Sequence, residues 1–288
     1  MTIAPLESIT ANDGTILRFT DTGTGPVLIL VSGWSQSAAE YTKQVEHFSA
    51  SHRVIAYDHR GHGQSDRPDF GFRVSRLAAD LNDLIVALDL TDVALLGHSM
   101  GCSVIWCYWD LYGGDRVARL ILVDQPSTLV TSPAWEDGVG AGLGAIFAPV
   151  HTFELAAGLA GEEGEKVSLG LLASMWSAEM PEGDRAWIAE QNLNLPRQLA
   201  AELLIDHAFS DWRDVLPRLT VPTLVIGGEL SLIPTQGIST VAAQTPGADL
   251  RIFTADELGS HFLFWENSQL FNEAVSDFLS GPDAASDT

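Results

Sequence analysis

The sequence predicts an α/β fold, a mostly parallel central sheet flanked by helices, and three observations carry that prediction. Short apolar runs alternate with turn signals and amphipathic stretches. The apolar runs lack clean period-two alternation, as strands do when helices cover both faces of a sheet and neither face meets water. The pattern then breaks over residues 127–217 and resumes after them. A chain of 288 residues, 46% of them hydrophobic, can bury a sizeable core, and one domain carrying an insertion fits that length.

In chain order, VLILVSG (27–33) predicts a strand, and RVIAYDHRGHG (53–63) a strand running into a glycine-rich turn. LAADLNDLIVALDL (77–90) predicts an amphipathic helix, VALLGHS (93–99) a further strand, and SVIWCYWDLY the helix after it. RLILVDQ (119–125) and TLVIGGE (223–229) extend the strand series, RIFTADELGSH (251–261) is the last strand entering a loop, and SQLFNEAVSDFL is a final amphipathic helix. Residues 1–126 and 218–280 therefore form the predicted core, and 127–217 an inserted helical cap containing GEEGEK (161–166) and LLASMWSAEM (171–180). The cap is rich in large apolar residues, among them Phe153, Met175, Met180 and Trp187. Most are assigned to its own packing, while Trp135, Phe147 and Trp176 are candidates for a substrate pocket. The tail 281–288 is small and polar and is expected to be disordered.

A formal net charge of −23 and a pI near 4.4 argue against gripping phosphate backbones or anionic lipid, so nucleic-acid and membrane partners are not expected. Neutral, apolar or cationic small molecules remain open. Cys102 and Cys107 lie five apart in one predicted helix, where their side chains diverge too far to bridge. The N-terminal segment lacks a basic region followed by an apolar one, and no apolar run reaches the roughly 18 residues of a membrane span. The expected location is the cytoplasm. A second copy of the chain, in a homodimer, could use the cap or apolar surface.

Gly97-His98-Ser99-Met100-Gly101 matches G-x-S-x-G directly after a strand and before a helix. A nucleophile on a sharp strand-to-helix turn needs near-absent side chains two residues to either side, and glycine meets that demand at both positions. The helix N-terminus then turns its amides toward developing negative charge. The bland alternative makes Ser99 a simple helix N-cap. A serine hydroxyl is a poor nucleophile until an imidazole takes its proton, so a histidine must reach Ser99 from another loop. His261 follows the last strand and completes the order serine, acid, histidine. His59 and His62 lie in the glycine-rich turn, His98 sits inside the elbow, and His47, His52, His151 and His207 carry no motif.

With these residues in place, the chain resembles the α/β-hydrolase fold superfamily over nearly its whole length apart from cap and tail. Ser32-Gly33-Trp34-Ser35 resembles the oxyanion loop, often H-G-x-x, with serine replacing histidine. Asp58 to Ser65 resembles the D-x-R-G-x-G-x-S turn, and Gly259-Ser260-His261-Phe262 the loop of the catalytic histidine. The resemblance implies an oxyanion hole from the amides of Trp34 and Met100. It also raises a difficulty over the acid. Many members carry it three residues after a glycine behind the penultimate strand, where this chain has Ser231 after Gly228. Asp124, at the end of the strand after the nucleophile, resembles the acid of zearalenone-type lactonases, some haloalkane dehalogenases and cofactor-free quinolone dioxygenases. Glu229 is the alternative, and a cap or turn role before Pro126 the bland reading of Asp124.

The resemblance implies hydrolysis of an ester or lactone of a hydrophobic small molecule through an acyl-enzyme on Ser99, with no cofactor. Perhydrolysis in the manner of non-haem haloperoxidases uses the same constellation. Two alternatives are a cofactor-free dioxygenase of a 3-hydroxy-4-quinolone using a His/Asp pair, and a non-catalytic ligand-binding protein of the same fold. A dehalogenase or epoxide hydrolase needs an aspartate where Ser99 stands. No histidine and carboxylate spacing suits a metal.

Overall fold

A computed structural model describes residues 5–281; the tail for which disorder is expected lies outside the described residues save for Gly281. Eight strands form one sheet in the order β1-β2-β4-β3-β5-β6-β7-β8. They are β1 Leu6–Thr10, β2 Ile16–Thr22, β3 Val27–Val31, β4 Arg53–Tyr57, β5 Val93–His98, β6 Val117–Val123, β7 Thr223–Gly228 and β8 Asp249–Phe253. β1, β2 and β4 pair antiparallel and the other neighbours parallel. The six strands predicted from apolar runs are all present. β1 and β2 are additional.

The missing period-two alternation has a direct cause: successive residues enter two different apolar clusters. Ile29, Val31, Leu95, Leu120, Leu122 and Val225 pack on one face, and Leu28, Leu30, Leu96, Ile121, Val123 and Ile226 on the other. Each such side chain contributes roughly 1.5–3 kcal/mol on burial. The first face is covered by α2 Val74–Ala87 and α3 Met100–Tyr112, the second by α1 Thr42–Phe48 and two C-terminal helices.

Between β6 and β7 the chain builds α4 Val139–Leu143, α5 Pro149–Ala160, α6 Gly164–Leu172, α7 Glu182–Leu193 and α8 Arg197–Ala208. Pro149 opens α5 at a position where its missing N–H has no helical partner to lose. α5 packs on α8, and α8 on α2. After β7 comes α9 Thr235–Gln244, which packs on α4, and after β8 come α10 Leu263–Glu266 and α11 Ser268–Leu279.

The turn after β4 is held by buried charge. Asp58 accepts from the amides of Ala38 and Gln64, at 2.8 Å each. Arg60 is fully buried against Asp80 at 2.7 Å and reaches Asp13 at 2.8 Å. Cys102 and Cys107 are both buried and free. Among the described residues no helix is long and apolar enough to cross a membrane, and no group of three or more His, Cys, Asp or Glu side chains is placed to hold a metal.

Candidate active site

Parallel strands β3, β5 and β6 end at one rim of the sheet, and each delivers a residue in the left-handed region there: Ser35 at φ 58°, Ser99 at φ 53° and Asp124 at φ 54°. Such a conformation costs a non-glycine residue about 1–3 kcal/mol and persists only where its surroundings enforce it. At Ser99 the enforcement is visible. Its amide donates to the Val123 carbonyl at 2.8 Å and its carbonyl accepts from Cys102 at 2.8 Å. A Cβ on Gly101 would lie 2.1 Å from the Val31 carbonyl oxygen, and one on Gly97 2.7 Å from Ile105 Cδ1. Both glycines of the motif are thus required by close approach. Ser99 occupies the N-cap position of α3 without a side-chain capping bond, so its hydroxyl is not committed to the helix.

His261 lies in the loop between β8 and α10, with its amide donating to the Met175 carbonyl at 2.9 Å. Its Nδ1 is 2.6 Å from Asp124 Oδ2, and both side chains are almost fully buried. Ser231, three residues after Gly228 at the end of β7, donates its hydroxyl to that same Asp124 oxygen. The two strand ends therefore share one carboxylate. Glu229 is turned elsewhere, accepting from the Ala255 amide at 2.9 Å. With Nδ1 engaged by the carboxylate, the remaining ring nitrogen of His261 is the one available to a proton on Ser99.

Ser99 and His261 line one pocket of about 40 Å³ together with Trp34. The Trp34 indole donates to the Ala200 carbonyl in α8 at 2.8 Å, which fixes the ring as part of the wall. The amides of Trp34 and Met100 donate to no acceptor among the described residues. His98 lies between the two loops that frame the pocket: Nε2 donates to the His261 carbonyl at 2.8 Å, and Nδ1 lies 3.0 Å from Gln36 Oε1, which also accepts from the Gly33 amide. Burial pushes its pKa well below the ordinary histidine value.

Of the three aromatic candidates for the pocket, the structure places only Phe147 in its lining. Trp176 borders an outer groove with Ser177 and Leu258. Trp135 sits half-buried beneath the Arg213 guanidinium, 4.9 Å from its ring centre, where a cation over the indole occupies it instead. The remaining wall comes from residues that carry no motif, among them Gln125, Leu129, Ile146, Leu204, His207 and Ile233. Sequence spacing gives no signal for these: Gln125 and Ile233 come from the strand ends after β6 and β7, and the others are folded over the rim by the residues between those strands.

A family model described as the alpha/beta hydrolase fold matches residues 26–147. A non-heme chloroperoxidase of Streptomyces lividans is 32% identical, over 77% of this chain and 80% of that protein. A putative non-heme chloroperoxidase of Synechocystis sp. is 28% identical over 93% of this chain and 96% of its own. Among solved structures, an esterase from Exiguobacterium antarcticum superimposes with a TM-score of 0.87 at 24% identity, covering 97% of this chain and 100% of that one.

Proposed function

Because the chain belongs to the α/β-hydrolase family, we propose that it is a serine hydrolase cleaving a carboxylic ester or lactone of a small molecule through an acyl-enzyme on Ser99. The observation that carries this reading is the buried His261–Asp124 pair opening on the same pocket as the strained, uncapped Ser99.

In this mechanism His261 takes the Ser99 proton as Oγ attacks the substrate carbonyl, and Asp124 stabilises the resulting imidazolium and holds the ring's orientation without itself taking the proton. The oxyanion is received by the Trp34 and Met100 amides, preorganised at a helix N-terminus and in a braced loop. His261 then protonates the departing alkoxide. Water, deprotonated by the same imidazole, releases the acid and restores Ser99. The helices between β6 and β7 act as a cap that closes the pocket and sets which acyl groups enter.

The names of the relatives favour a second outcome of the same intermediate. If hydrogen peroxide rather than water attacks the acyl-enzyme, the product is a peracid, which can oxidise halide without a metal at the site. Both outcomes need acylation of Ser99. The test is treatment with a fluorophosphonate followed by peptide mass mapping. Ser99 should be phosphonylated, the label should vanish in His261→Ala, and Asp124→Asn should weaken it more than Glu229→Gln. An unlabelled, folded protein would sink the acyl-enzyme and send attention to oxygen uptake with a 3-hydroxy-4-quinolone.

A further inference from the structure

A second histidine lines the pocket, and nothing in the acyl-enzyme mechanism uses it. His207, near the C-terminal end of α8, lines the cavity shared by Ser99 and His261 and is 4% exposed. Its Nδ1 is buried with no hydrogen-bond partner. Its Nε2 makes no hydrogen bond among the described residues either and, unlike Nδ1, is not shut off from solvent, so a ring in the pocket lining keeps a donor or acceptor for whatever enters. Leu129, Ile146, Phe147, Leu171 and Leu204 in the same lining are apolar, and none of its polar members Gln125, Ser99 and His261 is bonded to the His207 ring. Burial lowers the imidazole to about 3. It is therefore neutral at pH 7, too weak a base to compete with His261, and left with one role, an uncharged hydrogen bond to a ligand oxygen.

We propose that His207 is the polar anchor of the acyl pocket, and that the substrate is a compact ester or lactone whose acyl part carries a hydroxyl or carbonyl oxygen. This rests on the serine-hydrolase reading and narrows it. At about 40 Å³ the cavity is far below the several hundred Å³ of pockets that enclose drug-sized ligands, which favours a compact acyl part. A short acyl chain enters among these apolar side chains, and its oxygen meets the His207 ring. An anionic acyl group is disfavoured, since a neutral imidazole offers no counter-charge.

The experiment compares kcat/KM for p-nitrophenyl 3-hydroxybutyrate and p-nitrophenyl butyrate, taking their ratio within each protein so that a general loss of activity cancels. The unsubstituted protein should favour the hydroxylated ester roughly tenfold, the scale of one satisfied hydrogen bond. In His207→Leu the ratio should fall to about one or below, while His207→Gln, which keeps a donor and an acceptor, should retain part of the preference. A purely structural role would lower both esters together and leave the ratio untouched. A ratio of one or less in the unsubstituted protein overturns the inference whether or not any variant folds, as does an equal ratio in folded His207→Leu. If Ser99 takes the fluorophosphonate label but the ratio is flat, only the anchor fails. If there is no label and neither ester turns over, the hydrolase reading falls and takes the anchor with it.

Discussion

At the scale of single residues, Asp124 and Ser231 bring two strand ends together in front of one imidazole. Their side chains share one oxygen in front of His261, so an acid at either position would approach the same ring nitrogen. Asp124→Asn should lower kcat about 10³–10⁴-fold, since the amide cannot hold the imidazole in the productive tautomer. Adding Ser231→Asp to that variant should recover part of the loss, and a double variant no better than the single one would show the two positions are not interchangeable. His59 supplies a test of linkage. Burial lowers it to about 3 from 6.5, so the folded protein resists protonation that the unfolded chain accepts. Stability held above pH 6.5 is then lost as pH falls toward the folded value. Between pH 7 and pH 5 this one group should cost about 2 kcal/mol. His59→Gln should lose that much less in urea melts over the same interval; equal losses would refute the assignment. The candidates Ser99 and Asp124 were legible in the sequence because each directly follows an apolar strand run, and His261 because its Gly-Ser-His-Phe loop follows the last strand. His207 was not, because a histidine inside a helix of the insertion carries no local mark of the cavity it faces. Trp135 and Trp176 misled for the matching reason: size and apolarity say that a side chain packs, not against what.

At the scale of elements, strands buried on both faces announce themselves and half-buried ones do not. β3 to β7 include nearly continuous apolar runs, whereas β1 and β2 read LESIT and ILRFTDT, with polar residues at alternate positions along the sheet's antiparallel edge. Alternation of that kind was present but short, and polar residues and turn signals around it mask so brief a run. The contact of α4 with α9 was equally silent in the sequence. It depends on two glycines: a Cβ on Gly237 would lie 2.5 Å from the Gly144 Cα and 2.9 Å from the Leu143 carbonyl oxygen. Alanine normally favours a helix over glycine by up to about 1 kcal/mol. Here backbone atoms stand in the way and cannot rotate aside, so overpacking wins and Gly237→Ala should destabilise by about 1–3 kcal/mol. Urea denaturation decides it, and a stabilised variant would show that the two helices can part without loss.

Taken whole, the molecule carries 38 acidic side chains against 15 lysines and arginines. Several of the cations are bound in ion pairs, with Arg60 buried against Asp80 and Arg53 on Asp21 at 2.6 Å. Self-repulsion of the remaining charge opposes compactness and is screened within about 10 Å at 0.1 M salt. Raising NaCl from about 20 to 150 mM should therefore lift Tm by about 2–4 °C, the shift that roughly 1 kcal/mol produces in a protein of this size. A Tm that falls over that range would mean the salt weakens ion pairs more than it relieves repulsion. Ser99 and Asp124 stand at the ends of neighbouring strands, bonded through the Ser99 amide to the Val123 carbonyl and in register from Gly97 with Leu122 to His98 with Val123. They belong to one stiff body. His261 arrives on a separate loop, steadied by Met175 from the insertion and by His98 from below. In the proposed mechanism, alignment of the three groups thus depends on how one loop is held, and that loop is fastened to the insertion as well as to the sheet.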